Sequence, residues 1–304
     1  MIRDKTFRDK LESIVSGKVL FDEPMSRHTS IGVGGMTDVL VFPRSIGELS
    51  RVISYLRDCD VPFIPVGNCT NLIVRDGGYR GVLISLRELT AIDHRQSSFS
   101  IYADAGVPFS EIVNLSIKKS LAGMEFCAGI PGSVGGGVKM NAGAFGSELK
   151  DVVDTVSLIN GRGKTKVAVK DELKFEYRNL DLPEGTVILG ARFLLTKGSR
   201  EKIQRRVSEI IGMRKRKHPL EYRSAGSIFK NPPDISAGKI IDDIGLKGEK
   251  IGDARISEMH GNFIVNSGKA KAKDIISLID MAQKKVWEEK GIHLEIEVKI
   301  IGVD

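Results

Sequence analysis

The sequence predicts an α+β fold, and three observations carry the prediction. Residues 37–66 run strand, helix, strand; residues 151–198 carry strand patterns at hairpin spacing; residues 270–290 form a long amphipathic helix that hands over to a strand of period two. Between the first two regions lies GMEFCAGIPGSVGGGVKMNAGAFG, from Gly123 to Gly146, which holds eight of the chain's 33 glycines.

In chain order, Phe7, Leu11, Ile14 and Val15 stand at helical spacing and predict a packing helix within residues 1–20. The strand DVLVFP from Asp38, a helix from about Gly47 to Asp60 with Leu49, Val52, Ile53 and Leu56 on one face, and the strand VPFIPV at 61–66 compose a β-α-β unit. GNCTNLIVRDGG at 67–78 follows as a turn, where open α/β sheets place ligand phosphates. Strands at 81–86 and 99–106 and a helix from Ser110 to about Ser120 lead into the glycine stretch. Beyond it, VVDTVSLIN, a tight turn at Gly161–Gly163, TKVAV, LKFEYRNL and TVILGARFLLTKG predict antiparallel strands.

A basic helix at 199–217 has the place of a linker into a second domain. There follow GSIFKNP at 226–232, a helix from about Ser236 to Ile244, a short strand in EKIGDARIS, the strand GNFIVN at 261–266, and a helix from about Ala270 to Lys290 that turns inward Ala272, Ile275, Ile279, Ala282 and Val286 and stops at Gly291. The closing strand puts Ile292, Leu294, Ile296, Val298 and Ile300 on one face and His293, Glu295, Glu297 and Lys299 on the other.

Apolar residues make up 41% of the 304, enough for sizeable cores. No apolar run approaches the roughly 20 residues that cross a bilayer, and the charged start MIRDKTFRDK lacks a signal-peptide core, so a cytoplasmic protein without a membrane partner is expected. Cys59, Cys69 and Cys127 form no CxxC pair; they are expected as buried thiols, with no metal site. The net charge of +7 suits an anionic partner, nucleic acid or an acidic small molecule. Its densest run, Arg214–Lys217, sits where a helix C-terminus favours cations.

Dense glycine suits a backbone that must approach a ligand without Cβ atoms in the way, phosphate above all; the same composition also serves plain connectors. Ile130, Val134, Val138 and Met140 interrupt the glycines, which distinguishes the stretch from a solvated linker. It is no P-loop: Gly132 and Gly137 have the spacing, but Val138 stands where the lysine belongs, and Leu158 occupies the glycine position that Gly163-Lys164-Thr165 would need. No HExxH or GxSxG occurs. From residues alone, an α+β nucleotide-binding protein with two phosphate-approaching loops is as far as spacing goes.

Several motifs in order carry a resemblance that goes further: GNCTNLIVRD (67–76), AGIPGSVGGGVKMNAGAFG (128–146), EYRN (176–179), SAGSIFKNP (224–232), SEMHGNFIVN (257–266) and LEIEVKIIG (294–302). From about Phe21 to Gly302 the chain resembles the UDP-N-acetylenolpyruvoylglucosamine reductase family, in its shorter type. The resemblance implies a two-part FAD-binding domain of the vanillyl-alcohol-oxidase type over 1–200, with parts at about 1–90 and 91–200. A smaller α/β substrate-binding domain over 201–304 would follow, its C-terminal strand returning to the active site. It implies FAD and NADPH as cofactors, UDP-N-acetyl-3-O-(1-carboxyvinyl)-glucosamine as substrate and UDP-N-acetylmuramate, for peptidoglycan synthesis, as product. A monomer without nucleic acid is expected.

Carried onto matching positions, the resemblance implies that Ser227 donates a proton while Arg178 and Glu297 polarise the substrate carboxylate and hold its enol form. The FAD pyrophosphate would lie at Gly67, Asn68, Cys69, Thr70 and Asn71, and at Gly129, Ile130, Pro131, Gly132, Ser133, Gly135 and Gly136. The isoalloxazine would lie near Asn141, Gly143, Ala144 and Gly146. Tyr177, Arg223, Lys230 and Asn231 suit the substrate's carboxylate and diphosphate, and His260 and Asn262 are expected to shape the second domain.

Three positions depart from the family pattern: Cys69 stands at a usual glycine, Gly137 at a common alanine and Phe145 at a common tyrosine. If position 69 requires positive φ, Cys69 is strained. Two other functions compete: an oxidase or dehydrogenase of the same flavin fold, and a basic nucleic-acid-binding module, which would be colourless and salt-sensitive.

Overall fold

A computed structural model describes residue 2, residues 4–95 and residues 99–304. The chain forms two compact units whose segments interleave: Met1–Phe21, Asp38–Asn68 and Gly81–Met213 in the first, and Asp22–Thr37, Cys69–Arg80 and Arg214–Asp304 in the second.

In the first unit the predicted N-terminal helix is the shorter α1, Lys5–Ile14, capped by Asp4, whose side chain accepts the Thr6 N–H; positions 1 and 3 lie outside the described residues. Its buried Phe7 and Leu11 share a core with Leu49, Val52, Ile53 and Leu56 of α2, Ile46–Asp58. The strands flanking α2, Met36–Val41 and Phe63–Val66, are not neighbours. Tyr79–Ser85 lies between them, parallel to Phe63–Val66, and Val19–Pro24 closes the other edge.

A five-stranded antiparallel sheet follows in the order Thr165–Val169, Val153–Ile159, Val187–Leu194, Ser100–Asp104, Ile92–Arg95. Its apolar face, including Ile101, Val156, Ala191 and Phe193, is covered by α3, Phe109–Lys119, and by α4, Val134–Lys139. Part of the glycine stretch is thus helical. Glycine is a poor helix former, and packing supplies the reason for it here: a Cβ on Gly135 would stand 2.8 Å from Ala105 Cβ, and one on Gly137 would strike the Phe109 ring. Gly137→Ala should therefore cost about 1–3 kcal/mol by overpacking. Denaturant unfolding should show the loss, and Phe109→Leu in the same chain should recover part of it. The basic helix, α5, Arg200–Lys217, is more than a linker, because Ile203, Val207 and Ile210 are buried in this core.

In the second unit an antiparallel sheet has the order Arg223–Ser227, Phe263–Asn266, Ala254–Ile256, Lys250–Ile251. The last two form a hairpin about Gly252, φ +56°, where the sequence predicts a single strand. Its core is made by α6, Ala237–Asp243, capped by Ser236, and α7, Ala272–Lys290. All five predicted inward residues of α7 are buried, Leu278 joins them, and Gly291 ends the helix at φ +64°. Asp76 caps α7 with both carboxylate oxygens, accepting the Ala272 and Lys273 N–H groups at 2.9 Å.

The segment 67–78 is not wholly a turn: Leu72–Val74 is a buried strand, paired in parallel with Lys299–Ile301. The closing period-two segment keeps its inward face, with Leu294 and Val298 buried and Ile292, Ile296 and Ile300 packed against the core, yet only Lys299–Ile301 is laddered.

His218 lies against Phe263 and edge-on to His260, with ring centroids 4.9 and 5.6 Å away. Burial, reinforced by Arg214, His260 and Lys217, pushes His218 down to about 4, and burial with Lys247 lowers His260. An unfolded histidine titrates near 6.5, so below that pH the unfolded chain takes up protons that the folded chain refuses. Stability is full above pH 6.5 and falls as pH drops toward 4, by about 1–2 kcal/mol for the half-exposed His218 after solvent screening. Melting temperatures across this window should show the slope, and His218→Phe should reduce it.

Candidate active site

Gly67 and Ser133 come together in the first unit. A Cβ on Gly67 would stand 2.6 Å from Ser133 Oγ. Ser133 is 1% exposed, and its Oγ has no hydrogen-bond partner among the described residues. An unpaired buried hydroxyl costs about 1–3 kcal/mol, and here it faces a backbone position that admits no side chain. Gly129 and Gly132, at φ +72° and +150°, shape the turn that leads to it. A hydroxyl donor, Cβ-free main chain and no acidic side chain among these residues fit a nucleotide pyrophosphate. The other predicted glycines divide: Gly136 and Gly146 open onto free space, whereas Gly135 abuts Ala105, and a Cβ on Gly143 would meet Glu148 at 2.7 Å.

Asn141 is fully buried, with φ +41°. Its Nδ2 donates to Glu148 Oε2 at 3.1 Å and to the Glu176 carbonyl at 3.0 Å, and its Oδ1 accepts the Lys150 N–H at 3.0 Å. Its carboxamide therefore acts as a structural node. The Glu176 bond ties the glycine stretch to EYRN, which is a hairpin: Lys174–Glu176 pairs with Asn179–Asp181, leaving Tyr177 and Arg178 at the turn. Arg178 has φ +59°, its guanidinium lies 4.9 Å from the exposed Tyr177 ring, and its Nη2 donates to the Gly143 carbonyl at 3.2 Å. Lys139 Nζ holds the other hairpin strand through Asn179 Oδ1 and the Leu180 carbonyl, at 3.0 and 2.6 Å. Neither Lys139 nor Glu148 is among the residues that the sequence singles out; Lys139, a charge inside the glycine stretch, offers a signal, whereas Glu148, two residues beyond Gly146, offers none.

In the second unit Cys69 is buried at φ +51°, in the left-handed region that glycine occupies without cost. Its carbonyl accepts the Ser30 N–H at 3.2 Å, and the next carbonyl along, that of Ile31, accepts Asn266 Nδ2 at 3.0 Å. The pairing of Arg223–Ser227 with Phe263–Asn266 slips between Ser224 and Ser227, with Gly226 at φ +76°. Three steps on one strand oppose two on the other, a bulge that re-aims Ser227. Asn262 locks the next residues: its Oδ1 accepts the Phe229 N–H and its Nδ2 donates to the Phe229 carbonyl, both at 2.8 Å.

The Glu297 segment lies along the same residues. The Glu297 N–H donates to the Ile228 carbonyl at 2.8 Å, Phe229 bridges to Ile296, and the Lys230 N–H donates to the Glu295 carbonyl. Ser227 and Glu297, far apart in sequence, thus sit on hydrogen-bonded neighbouring segments. Lys230 Nζ pairs with Glu295 at 2.5 Å, Asn231 Oδ1 accepts the Ala237 N–H at 3.0 Å, and Arg223 is exposed at the start of its strand. Arg178 belongs to the first unit, Ser227 and Glu297 to the second. Among the described residues no group of three His, Cys, Asp or Glu could hold a metal, and no helix is long and apolar enough to cross a membrane.

Comparison with known proteins joins these observations. A profile for an FAD binding domain matches residues 37–168, and one for the UDP-N-acetylenolpyruvoylglucosamine reductase C-terminal domain matches residues 218–301. The reductase of Syntrophus aciditrophicus is 51% identical over all of this chain and 98% of its own length. That of Caldanaerobacter subterraneus subsp. tengcongensis is 44% identical over 97% of each. The crystal structure of the Thermus caldophilus reductase superimposes with a TM-score of 0.79 at 35% identity, covering 93% of this chain and 98% of that one. The α+β fold with an FAD-binding domain stands on these matches together with the elements above. The chain belongs to the UDP-N-acetylenolpyruvoylglucosamine reductase family.

Proposed function

We propose that Arg178, Ser227 and Glu297 carry the chemistry of this reductase. The reaction is the NADPH-dependent reduction of the enolpyruvyl ether of UDP-N-acetylglucosamine to UDP-N-acetylmuramate in peptidoglycan synthesis. Bound FAD supplies the hydride relay between NADPH and the terminal carbon of the enolpyruvyl group. A hydride arriving at a double bond conjugated to a carboxylate builds enolate charge, which must be stabilised as it forms and then protonated. Arg178 and Glu297 polarise the carboxylate and hold the enol form, and the Ser227 hydroxyl gives its proton to the carbon bearing the ether oxygen. Serine is a weak acid, and the strongly basic carbon is what makes it competent.

The observation that carries this reading is the Glu297 N–H donated to the Ile228 carbonyl at 2.8 Å, beside a bulge that aims Ser227. Gly67–Thr70, Gly129–Ser133 and Gly136 would hold the FAD pyrophosphate, with Asn141–Gly146 along the ring system and Gly135 packing beneath. Tyr177, Arg223, Lys230 and Asn231 would take the substrate's carboxylate and diphosphate. The functional division follows chain order, 1–200 for the cofactor and 201–304 for the substrate, and so crosses the interleaved compact units. The protein works as a cytoplasmic monomer without nucleic-acid or membrane partners.

Glu297→Ala tests the assignment. It should retain flavin and be bleached by NADPH within about threefold of the normal rate, while recolouring by the enolpyruvyl nucleotide slows about a hundredfold or more. Equal loss in both half-reactions would make Glu297 structural.

A further inference from the structure

We propose that Asn71 is a positioning residue for Glu297: its carboxamide sets the register of the catalytic glutamate and does not serve as a cofactor contact. The inference rests on the reading of Glu297 as catalytic. Residues 292–298 alternate inward and outward, but the regular ladder begins only at Lys299 and stops short of Glu297, which follows the single bridge of Ile296 to Phe229. Upstream the segment is tied by Gln283 Nε2 on the Leu294 carbonyl and by the Lys230 N–H on the Glu295 carbonyl, both at 2.8 Å. The Glu297 N–H goes to the Ile228 carbonyl at 2.8 Å, and the Glu297 carbonyl accepts Asn71 Nδ2 at 3.1 Å. The Asn71 carbonyl in turn accepts the Lys299 N–H at 3.0 Å.

Asn71 therefore grips residues 297 and 299, two positions on the same face of the strand, and does so just before the parallel pairing of Leu72 with Lys299. A slip of one residue would turn Val298 or Ile296 outward and bury the carboxyl. Contacts across 226 residues of sequence set this register, so no local turn can substitute. The chemistry demands a donor, because the Glu297 carbonyl can only accept. Ionised aspartate at position 71 would face that carbonyl with two acceptors, whereas a protonated aspartic acid could donate as asparagine does.

The test uses holoenzyme of Asn71→Ala, Asn71→Asp, Glu297→Ala and the double variant Asn71→Ala/Glu297→Ala. Three quantities are read: FAD affinity on reconstitution of the apoprotein, bleaching by NADPH, and anaerobic recolouring by the enolpyruvyl nucleotide. Asn71→Ala should keep FAD affinity and bleaching within about threefold while recolouring slows about 10- to 100-fold, with no further loss on the Glu297→Ala background. Asn71→Asp should be slow at neutral pH and regain recolouring rate as pH falls and its carboxyl takes up a proton, a profile absent from the parent. Weakened FAD binding with both half-reactions equally slowed would return Asn71 to the cofactor site and overturn the proposal. A slow Glu297→Ala beside a normal Asn71→Ala would overturn the positioning alone. A normal Glu297→Ala would overturn the catalytic assignment and the positioning with it.

Discussion

Ser227→Ala is expected to leave bleaching by NADPH within about threefold of normal and to slow recolouring by the enolpyruvyl nucleotide by about three orders of magnitude. The asymmetry follows from the chemistry. Only the second half-reaction creates a carbon base, and only that step needs a proton donor at carbon. Alanine removes the hydroxyl and little else, because the surroundings of Ser227 are set by main-chain bonds: the pairing with Phe263, the Ile228 N–H to the Asn262 carbonyl, and the Asn262 carboxamide on Phe229. Ser227→Cys, with a smaller proton-transfer penalty, should recover part of the rate. If both half-reactions suffered equally, the bulge at Gly226 would be structural and the proton would come from elsewhere.

Ser133→Ala should move two quantities in opposite directions. In the apoprotein it deletes a buried hydroxyl that has no partner among the described residues, so stability should rise by about 1 kcal/mol. In the holoprotein it deletes a donor to an anion, a bond worth about 1.5–3 kcal/mol, so FAD affinity should fall about 10- to 100-fold. Thermal unfolding of apoprotein and fluorescence titration with FAD measure the two. A variant that binds FAD normally would remove Ser133 from the cofactor site, and one that destabilises the apoprotein would show that the hydroxyl is satisfied in solution.

What was legible in the sequence follows how local each interaction is. The faces of α2 and α7, the span of α3 and the strand Thr165–Val169 rest on short-range patterns, and the structure has them within a few residues of the sequence reading. The strand Leu72–Val74 was not, because Gly, Asn and Asp around it suit a turn and its partner, Lys299–Ile301, lies at the other end of the chain. Tyr79–Ser85 entered between two strands that looked adjacent for the same reason: a crossover helix fixes direction and leaves open which later strand fills the gap. Helix α4 was hidden by its own glycines, whose cause is the Phe109 ring and Ala105.

The hairpin at EYRN was predicted as one strand, since nothing in Tyr177-Arg178 announces a left-handed arginine. That conformation costs about 1–2 kcal/mol and is held by Asn141 and Lys139, residues that come before it in the chain. The site itself was legible only in part. Glycine density pointed to a phosphate cradle, and Ser133 facing Gly67 gives that a physical basis. Arg178, Ser227 and Glu297 have no spacing that names them, and family resemblance alone singled them out. The structure adds that Ser227 and Glu297 share a hydrogen-bonded pair of segments and that Cys69, Asn141 and Arg178 all hold positive φ, strain of the kind that clusters where geometry is functional.

This chain, with FAD bound, is a reductase of an enolpyruvyl nucleotide. Under anaerobic conditions, protein bleached with one equivalent of NADPH should recolour on mixing with UDP-N-acetyl-3-O-(1-carboxyvinyl)-glucosamine, with UDP-N-acetylmuramate formed in equal amount. Flavin that stays bleached with the nucleotide and recolours only when oxygen is admitted would contradict it.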